Sequence, residues 1–347
     1  MKHHLIIIYD GIENSVFAGQ VLAPLNVHLM NYPADRGLII SFEKKMPAKA
    51  ALDQIAKHTT IDYLILRKIP FLGSLSLRYA AYQLERAMRN YIIHAITARG
   101  PLAAWIVTHT KELDHIPCIV QARGLAAQEY GYAHDDTQSW FMKKIHQFRM
   151  HQYEAIEQFV YGTYAQQSET IIRAVSEPLR TYLIDTFHTP HRKILVEGTD
   201  IPQKIDPTIL QTWRSAMRTT MNIPPDTYMY VYNGSAKAWQ CPEQTVAYFA
   251  SLYKNNQNLF LLILTQDQQK FIDLCMHAAI PSCAYHITHV RHDMMYHYLA
   301  AADAGIIFRK PHIINWVSRP TKILEYQAVG LTIIHNNTVA MLADYKP

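Results

Sequence analysis

The chain has 347 residues, 49% of them hydrophobic and 18% charged, which is an ordinary globular composition with room for two domains around large cores. A net charge of +5 with no block of like charge gives no footprint for nucleic acid. No apolar run reaches the ~18–20 residues that span a bilayer, and Met1-Lys-His-His is too short to open a signal peptide.

Leu5-Ile-Ile-Ile-Tyr9 reads as a first buried strand. Asp10-Gly11 turns the chain, and Asn14-Ser15 can cap a helix to about Leu25 that includes Gly19 and Gln20. Leu38–Phe42 is a second strand, 47–58 a helix and Tyr63–Arg67 a third strand. Apolar spacing through Leu77, Ala81, Leu84, Met88, Tyr91 and Ile92 predicts one long helix from Ser74 to Thr97. Trp105–Thr108 reads as a fourth strand ending at His109, and Cys118–Gln121 as a fifth ending at Arg123-Gly124. A helix over 137–159, a strand over Thr170–Val175, a helix opened by Ser176-Glu-Pro-Leu and a strand over Lys193–Val196 complete the first half.

A Pro- and polar-rich stretch, 198–207, separates an N-terminal domain, 1–200, from a C-terminal domain, 201–347. The alternation then restarts. Helices are expected over 213–221, 243–254, 268–277 and 293–302, and strands over 228–232, 259–264 and 285–290. The last unit is a strand Ala304–Phe308, a helix opening near Pro320 and ending at Gly330, and a strand Leu331–His335. The fold class is α/β, with two doubly wound, Rossmann-like parallel sheets. The second half stops short of a completed Rossmann-like domain, so a shortened C-terminal end is expected. Cys118, Cys241, Cys275 and Cys283 form no C-x-x-C pair, and four cysteines in a chain this long make no disulfide framework, so a reducing cytoplasm is expected.

The carboxyl edge of such sheets is where ligands bind. In the second half Arg309 ends a strand, and Lys322 and Glu325 lie three apart on the next helix. They are either a surface ion-pair cluster or a phosphate site at a helix N-terminus. The order Asp303-Ala-Gly-Ile-Ile-Phe-Arg309, then Ser318-x-Pro320-Thr321-Lys322-x-x-Glu325-Tyr-x-Ala-x-Gly330, resembles the donor site of GT-B glycosyltransferases, the retaining group 1 or family 4 enzymes. The resemblance implies two Rossmann-like domains facing a cleft, with a nucleoside-diphosphate sugar as co-substrate and no cofactor or metal. By position, Glu325 would hold the donor ribose, and Arg309 and Lys322 would act catalytically on the diphosphate, aided by the helix end at Pro320 and Thr321. Gly234 and Ser235 fall on the family's glycine loop, with Lys237 adding charge, and Val290 on its base-binding segment. Val317 stands eight residues before Glu325, where the family carries a further glutamate. Gly19 and Arg123 would serve the acceptor, a carbohydrate or a lipid-linked one.

The histidines His286, His289, His292 and His297 diverge around a strand-to-helix junction, and no metal is expected there. The segment 140–151 mixes aromatic and basic residues. It could lie on an anionic membrane, at the inner, cytoplasmic face, or pack through Phe141, Ile145 and Phe148 with its basic face outward. The function expected is hexosyl transfer with retention. The alternative is a non-catalytic nucleotide- or carbohydrate-binding protein on the same fold. A dinucleotide oxidoreductase is disfavoured, because neither half has G-x-G-x-x-G after its first strand.

Overall fold

The computed structural model describes the chain except residues 1, 14–16, 70–72, 136, 168, 198–200, 292–293 and 346–347. The chain divides into two units, Met1–Glu197 and Gly198–Pro347. The expected cap at Asn14-Ser15 and the start of the 198–207 linker lie outside the described residues.

The first unit runs β1 (Lys2–Ile8), α1 (Ala23–Asn31), β2 (Asp35–Glu43), α2 (Lys49–Ala56), β3 (Ile61–Arg67), α3 (Ser74–Met88), β4 (Ile92–Arg99), α4 (Gly100–Thr108), β5 (Cys118–Ala122), α5 (Ala126–Ala133), α6 (Trp140–Glu157), β6 (Thr170–Ala174), α7 (Glu177–Phe187) and β7 (Ile194–Val196). Among the described residues its strands form one parallel sheet in the order β3-β2-β1-β4-β5-β6-β7. Leu5, Ile7 and Ile8 are fully buried, and Ile6 nearly so, so both faces of β1 are covered. That double burial is what an unbroken apolar run requires of a parallel strand. Gly19 sits in a π-helical turn, Ala18–Leu22, that leads into α1. Ser176 caps α7, its Oγ accepting from the N–H of Leu179 at 3.1 Å.

Two expectations fail in this unit. The helix from Ser74 ends at Met88, and Ile92–Arg99 is the fourth strand. Tyr91 and Ile92 fall at helical spacing from Met88 by coincidence. The β-branched run Ile92-Ile93…Ile96-Thr97 favours the pleated conformation. Trp105–Thr108, expected as a strand, belongs instead to α4, which Gly100 (φ +83°) and Pro101 open. Ala103, Ala104 and Ile106 are fully buried, so α4 is apolar around its circumference and shows no helical stripe. Further on, the expected single helix over 137–159 is preceded by the separate α5.

The second unit runs α8 (Pro207–Thr220), β8 (Tyr228–Asn233), α9 (Pro242–Tyr253), β9 (Leu259–Leu264), α10 (Gln268–His277), β10 (Tyr285–Thr288), α11 (Met295–Ala300), β11 (Ala304–Ile307), α12 (Ile313–Trp316), α13 (Thr321–Ala328) and β12 (Thr332–His335). Its described strands form a parallel sheet in the order β10-β9-β8-β11-β12. Met229, Val231, Leu262 and Leu264 pack on one face, and Tyr232, Leu261 and Ile263 on the other. α8 begins six residues before the expected Trp213, because the Asp206 carboxylate caps it by accepting from Thr208 N–H at 2.8 Å. Gly330, at φ +74°, ends α13 as expected. Asp303, at the start of β11, binds Arg214 and Arg218 of α8 and accepts from Met229 N–H at 2.8 Å.

Candidate functional site

In the second sheet the order reverses between β8 and β11. A crevice opens at such a switch point, beyond the carboxyl ends of the strands. Gly234 leaves β8 there, Arg309 leaves β11, and α13 starts beside them.

Lys322, Arg309 and Glu325 are all buried, at 7%, 7% and 8% exposure. The surface ion-pair reading is therefore excluded. The Lys322 Nζ donates to Gln240 Oε1 at 2.9 Å and stands 4.5 Å from the centre of the Tyr232 ring. Burial holds its pKa well below the usual lysine range; Arg309 pushes the same way and Glu325 opposes it. Burial also lowers Arg309, whose Nε is enclosed without a hydrogen-bond partner. Two cations thus share one enclosed place with one nearby carboxylate. An enclosed excess of positive charge is unfavourable unless an anion joins it.

Glu325 is oriented by Asn233, whose Nδ2 donates to its Oε2 at 2.8 Å. The backbone N–H of Asn233 donates to the hydroxyl of Tyr326 at 3.0 Å. The glycine loop is fixed from several sides. Ser235 Oγ accepts from Gln240 Nε2 at 2.9 Å, Ser235 O accepts from the Tyr232 hydroxyl at 2.8 Å, and Ala236 N–H donates to Asp267 at 2.7 Å. Pro320 holds the N-cap position of α13 without a side-chain capping bond, and Thr321 is exposed beside it. The first N–H groups of this helix can therefore serve an anion.

The structure brings together Gly234, Ser235, Arg309, Lys322 and Glu325. Lys237 is not among them: it is exposed and lies over the Trp239 ring, 5.0 Å from its centre. Val290 packs against the core of the unit. Of the histidines, His286 is exposed, His289 lies 3.5 Å from Gln266 and His297 stacks on Trp213, while His292 lies outside the described residues. Val317 is 1% exposed and gives the site nothing polar. Asn233, Gln240 and Tyr326 were missed by sequence reasoning; only Asn233, at the strand end before Gly234, left a signal.

The carboxyl edge of the first sheet carries its own polar cluster. Arg123 donates to Gln20 Oε1 and lies 3.6 Å from Glu197. A Cβ on Gly19 would meet nothing within 4 Å, so this turn faces open space. Arg99, at the end of the misread β4, donates to Gln20 O and Gln121 Oε1, both at 3.2 Å. Burial, then Arg123, pushes its guanidinium down to about 10. Lys68, brought to about 8 chiefly by burial, donates to Tyr9 O. Phe141 and Phe148, expected to pack α6, are instead both 64% exposed. Trp140 and Met142 are exposed beside them, so the aromatic face of this helix is turned outward.

No protein-family model matches the chain, and no curated protein matches it. Solved structures do. A glycosyltransferase from Rickettsia africae matches with a TM-score of 0.65 at 11% identity, over 99% of this chain and 82% of that one. HepE from Anabaena, solved with UDP and glucose, matches at 0.63 and 13% identity, over 99% and 83%. The fold is that of GT-B glycosyltransferases. A UDP-N-acetylglucosamine 2-epimerase shares it more distantly, at 0.51 and 11% identity, over 88% and 73%. No described helix is long and apolar enough to cross a membrane.

Proposed function

We propose that the chain is a glycosyltransferase that moves a hexosyl group from a nucleoside-diphosphate sugar to an acceptor hydroxyl, with retention and without a metal at the donor. The observation that carries this reading is the enclosed pair Arg309 and Lys322, two cations beside the single carboxylate of Glu325. In the reaction the bond from the anomeric carbon to the diphosphate oxygen breaks, the acceptor oxygen bonds that carbon on the same face, and the acceptor's hydroxyl proton passes to the departing diphosphate. Negative charge grows on the departing diphosphate. Arg309, Lys322 and the start of α13 are preorganised to stabilise it. Glu325, aimed by Asn233, accepts from the ribose hydroxyls. Fold neighbours, one a glycosyltransferase and one solved with UDP and glucose, support the substrate class.

Arg99 and Arg123 are proposed to bind the acceptor. The exposed aromatic residues of α6, interleaved with Lys143, Lys144 and Arg149, fit a lipid-linked acceptor at an anionic cytoplasmic membrane face.

The test is a thermal-shift screen against UDP, GDP, ADP and TDP and their sugars, followed by assay of nucleoside-diphosphate release. One nucleotide should raise the melting temperature, and its sugar should be turned over. No shift with any of them sinks the reading. A shift without turnover favours the second reading, a non-catalytic nucleotide-binding protein, which the apolar Val317 supports.

A further inference from the structure

His28, Asp35 and His94 meet at the amino edge of the first sheet, the edge opposite Arg99 and Arg123. His28 lies in the last turn of α1, Asp35 opens β2, and His94 is near the start of β4. Strand register pairs His3 with Ile93 but His4 with Ala95, so His94 is the extra residue of a bulge. Bulges at sheet edges re-aim a side chain. Here the bulge brings His94 Nε2 to 3.1 Å from Asp35 Oδ2. His28 Nε2 lies 3.5 Å from the same oxygen. One ligand atom from each residue falls within 4.8 Å of the other two.

The spacing fits a metal. Zinc–nitrogen bonds of ~2.0–2.1 Å in a tetrahedron place neighbouring ligand atoms ~3.3 Å apart. The separations of 3.1 and 3.5 Å straddle that edge length. His28 Nε2, one of the three ligand atoms, is buried without a hydrogen-bond partner. A simple ion-pair cluster accounts for this atom poorly. It would ask one half-buried carboxylate to serve two charged imidazoles. A third ring, His4, stands edge-on to His28 with centroids 4.7 Å apart. One divalent cation bound by His28 Nε2, His94 Nε2 and the carboxylate gives His28 Nε2 the partner it lacks, with less crowding of charge.

We propose that His28, Asp35 and His94 form a binding site for a divalent transition metal of the zinc class, with the remaining position open to water. Imidazole with carboxylate selects zinc, cobalt, nickel or copper over magnesium or calcium. The metal would clip the end of α1 to the starts of β2 and β4. It would act as a structural clasp, independent of sugar transfer.

The test uses the full chain, stripped with a chelator and titrated with Co²⁺. The expected result is a saturable visible absorption band at one Co²⁺ per chain, removed by Zn²⁺, with a raised melting temperature on zinc addition. Asp35→Asn and His94→Ala should each weaken Co²⁺ binding at least about tenfold, since both remove a ligand. His277→Ala, at an exposed position of α10, should leave it unchanged. Should a strand variant fail to fold by circular dichroism, His28→Gln on the helix tests the same site. The proposal falls if the wild-type chain shows no band. It falls equally if the band survives at full affinity in any folded ligand variant.

Discussion

A β-carbon built on Gly234 stands 2.5 Å from the Nζ of Lys322 and 2.6 Å from Oε1 of Gln240. The loop after β8 is therefore glycine so that a buried ammonium can lie against its backbone. Gly234→Ala would push Lys322 out of its bond with Gln240. Titration calorimetry should show nucleoside-diphosphate affinity lowered about tenfold or more, roughly 1.4 kcal/mol. Unchanged affinity would separate Lys322 from the diphosphate.

Lys322→Met should have opposite effects on stability and binding. Removing an enclosed cation that repels Arg309 should raise unfolding free energy by about 1–3 kcal/mol in urea melts. Diphosphate affinity should fall at least about tenfold. In the wild-type chain the depressed lysine faces Arg309, Glu325 and the Tyr232 ring, and an incoming phosphate favours its charged form. Binding should then take up a proton above the depressed pKa, visible as a binding heat that varies with buffer, and should weaken as pH rises. A heat independent of buffer at every pH would contradict this.

Glu325→Ala separates ribose from phosphate. Its carboxylate accepts from Asn233 Nδ2 and acts on Lys322 through its charge. Affinity for a nucleoside diphosphate should drop about tenfold, while affinity for pyrophosphate holds or rises. Equal losses for both ligands would reassign Glu325 to holding the cations in place.

Glu157, at the end of α6, accepts from the N–H groups of Ala126 and Ala127. Burial pushes its pKa up to about 7; those two bonds oppose the shift, while Glu129 and Glu154 add to it. The folded state thus binds more protons than the unfolded one between about 4.5 and 7. Stability from this group is present below about 4.5 and is lost as pH rises through 7, by at most about 1.4 kcal/mol per pH unit. Glu157→Gln should flatten that part of the stability–pH curve. An unchanged slope in denaturant melts would rule the assignment out.

Vesicle co-sedimentation checks the membrane reading of α6. The wild-type chain should pellet with anionic vesicles and stay in solution with zwitterionic ones. A Trp140→Ala, Phe141→Ala double variant should lose most of that binding, and added salt should weaken it. Equal pelleting of variant and wild type would remove the membrane from the picture.

Strands buried on both faces were legible because an unbroken apolar run such as Leu5–Ile8 must be covered on both sides. The pair Lys322 and Glu325 was legible through helical spacing, and Gly330 through its place after the last apolar turn. β4 was not, because Tyr91 and Ile92 continue the stripe of α3. α4 was not, because it is apolar on every side and carries no period. Arg99 was lost with its strand. Gln240 matters only through where the loop places it, and no local pattern announces that; Asn233 was marked only by its place at the strand end before Gly234. The grouping of His28, Asp35 and His94 depends on a bulge and on three elements far apart in sequence.

The parallel order of both sheets has a consequence for how the chain reaches this state. Among the described strands no adjacent pair is joined by a hairpin. Every pairing must close over a connecting helix, with its loop entropy lost before the contact forms. Folding should be slow for the chain's size, with collapsed species exposing strand edges on the way. The finished edges limit that hazard. β7, β10 and β12 are only three or four residues long. β3, the longest edge, carries Asp62 locked to Arg36 at 3.0 Å, a charge that a second chain would have to dislodge before adding a strand.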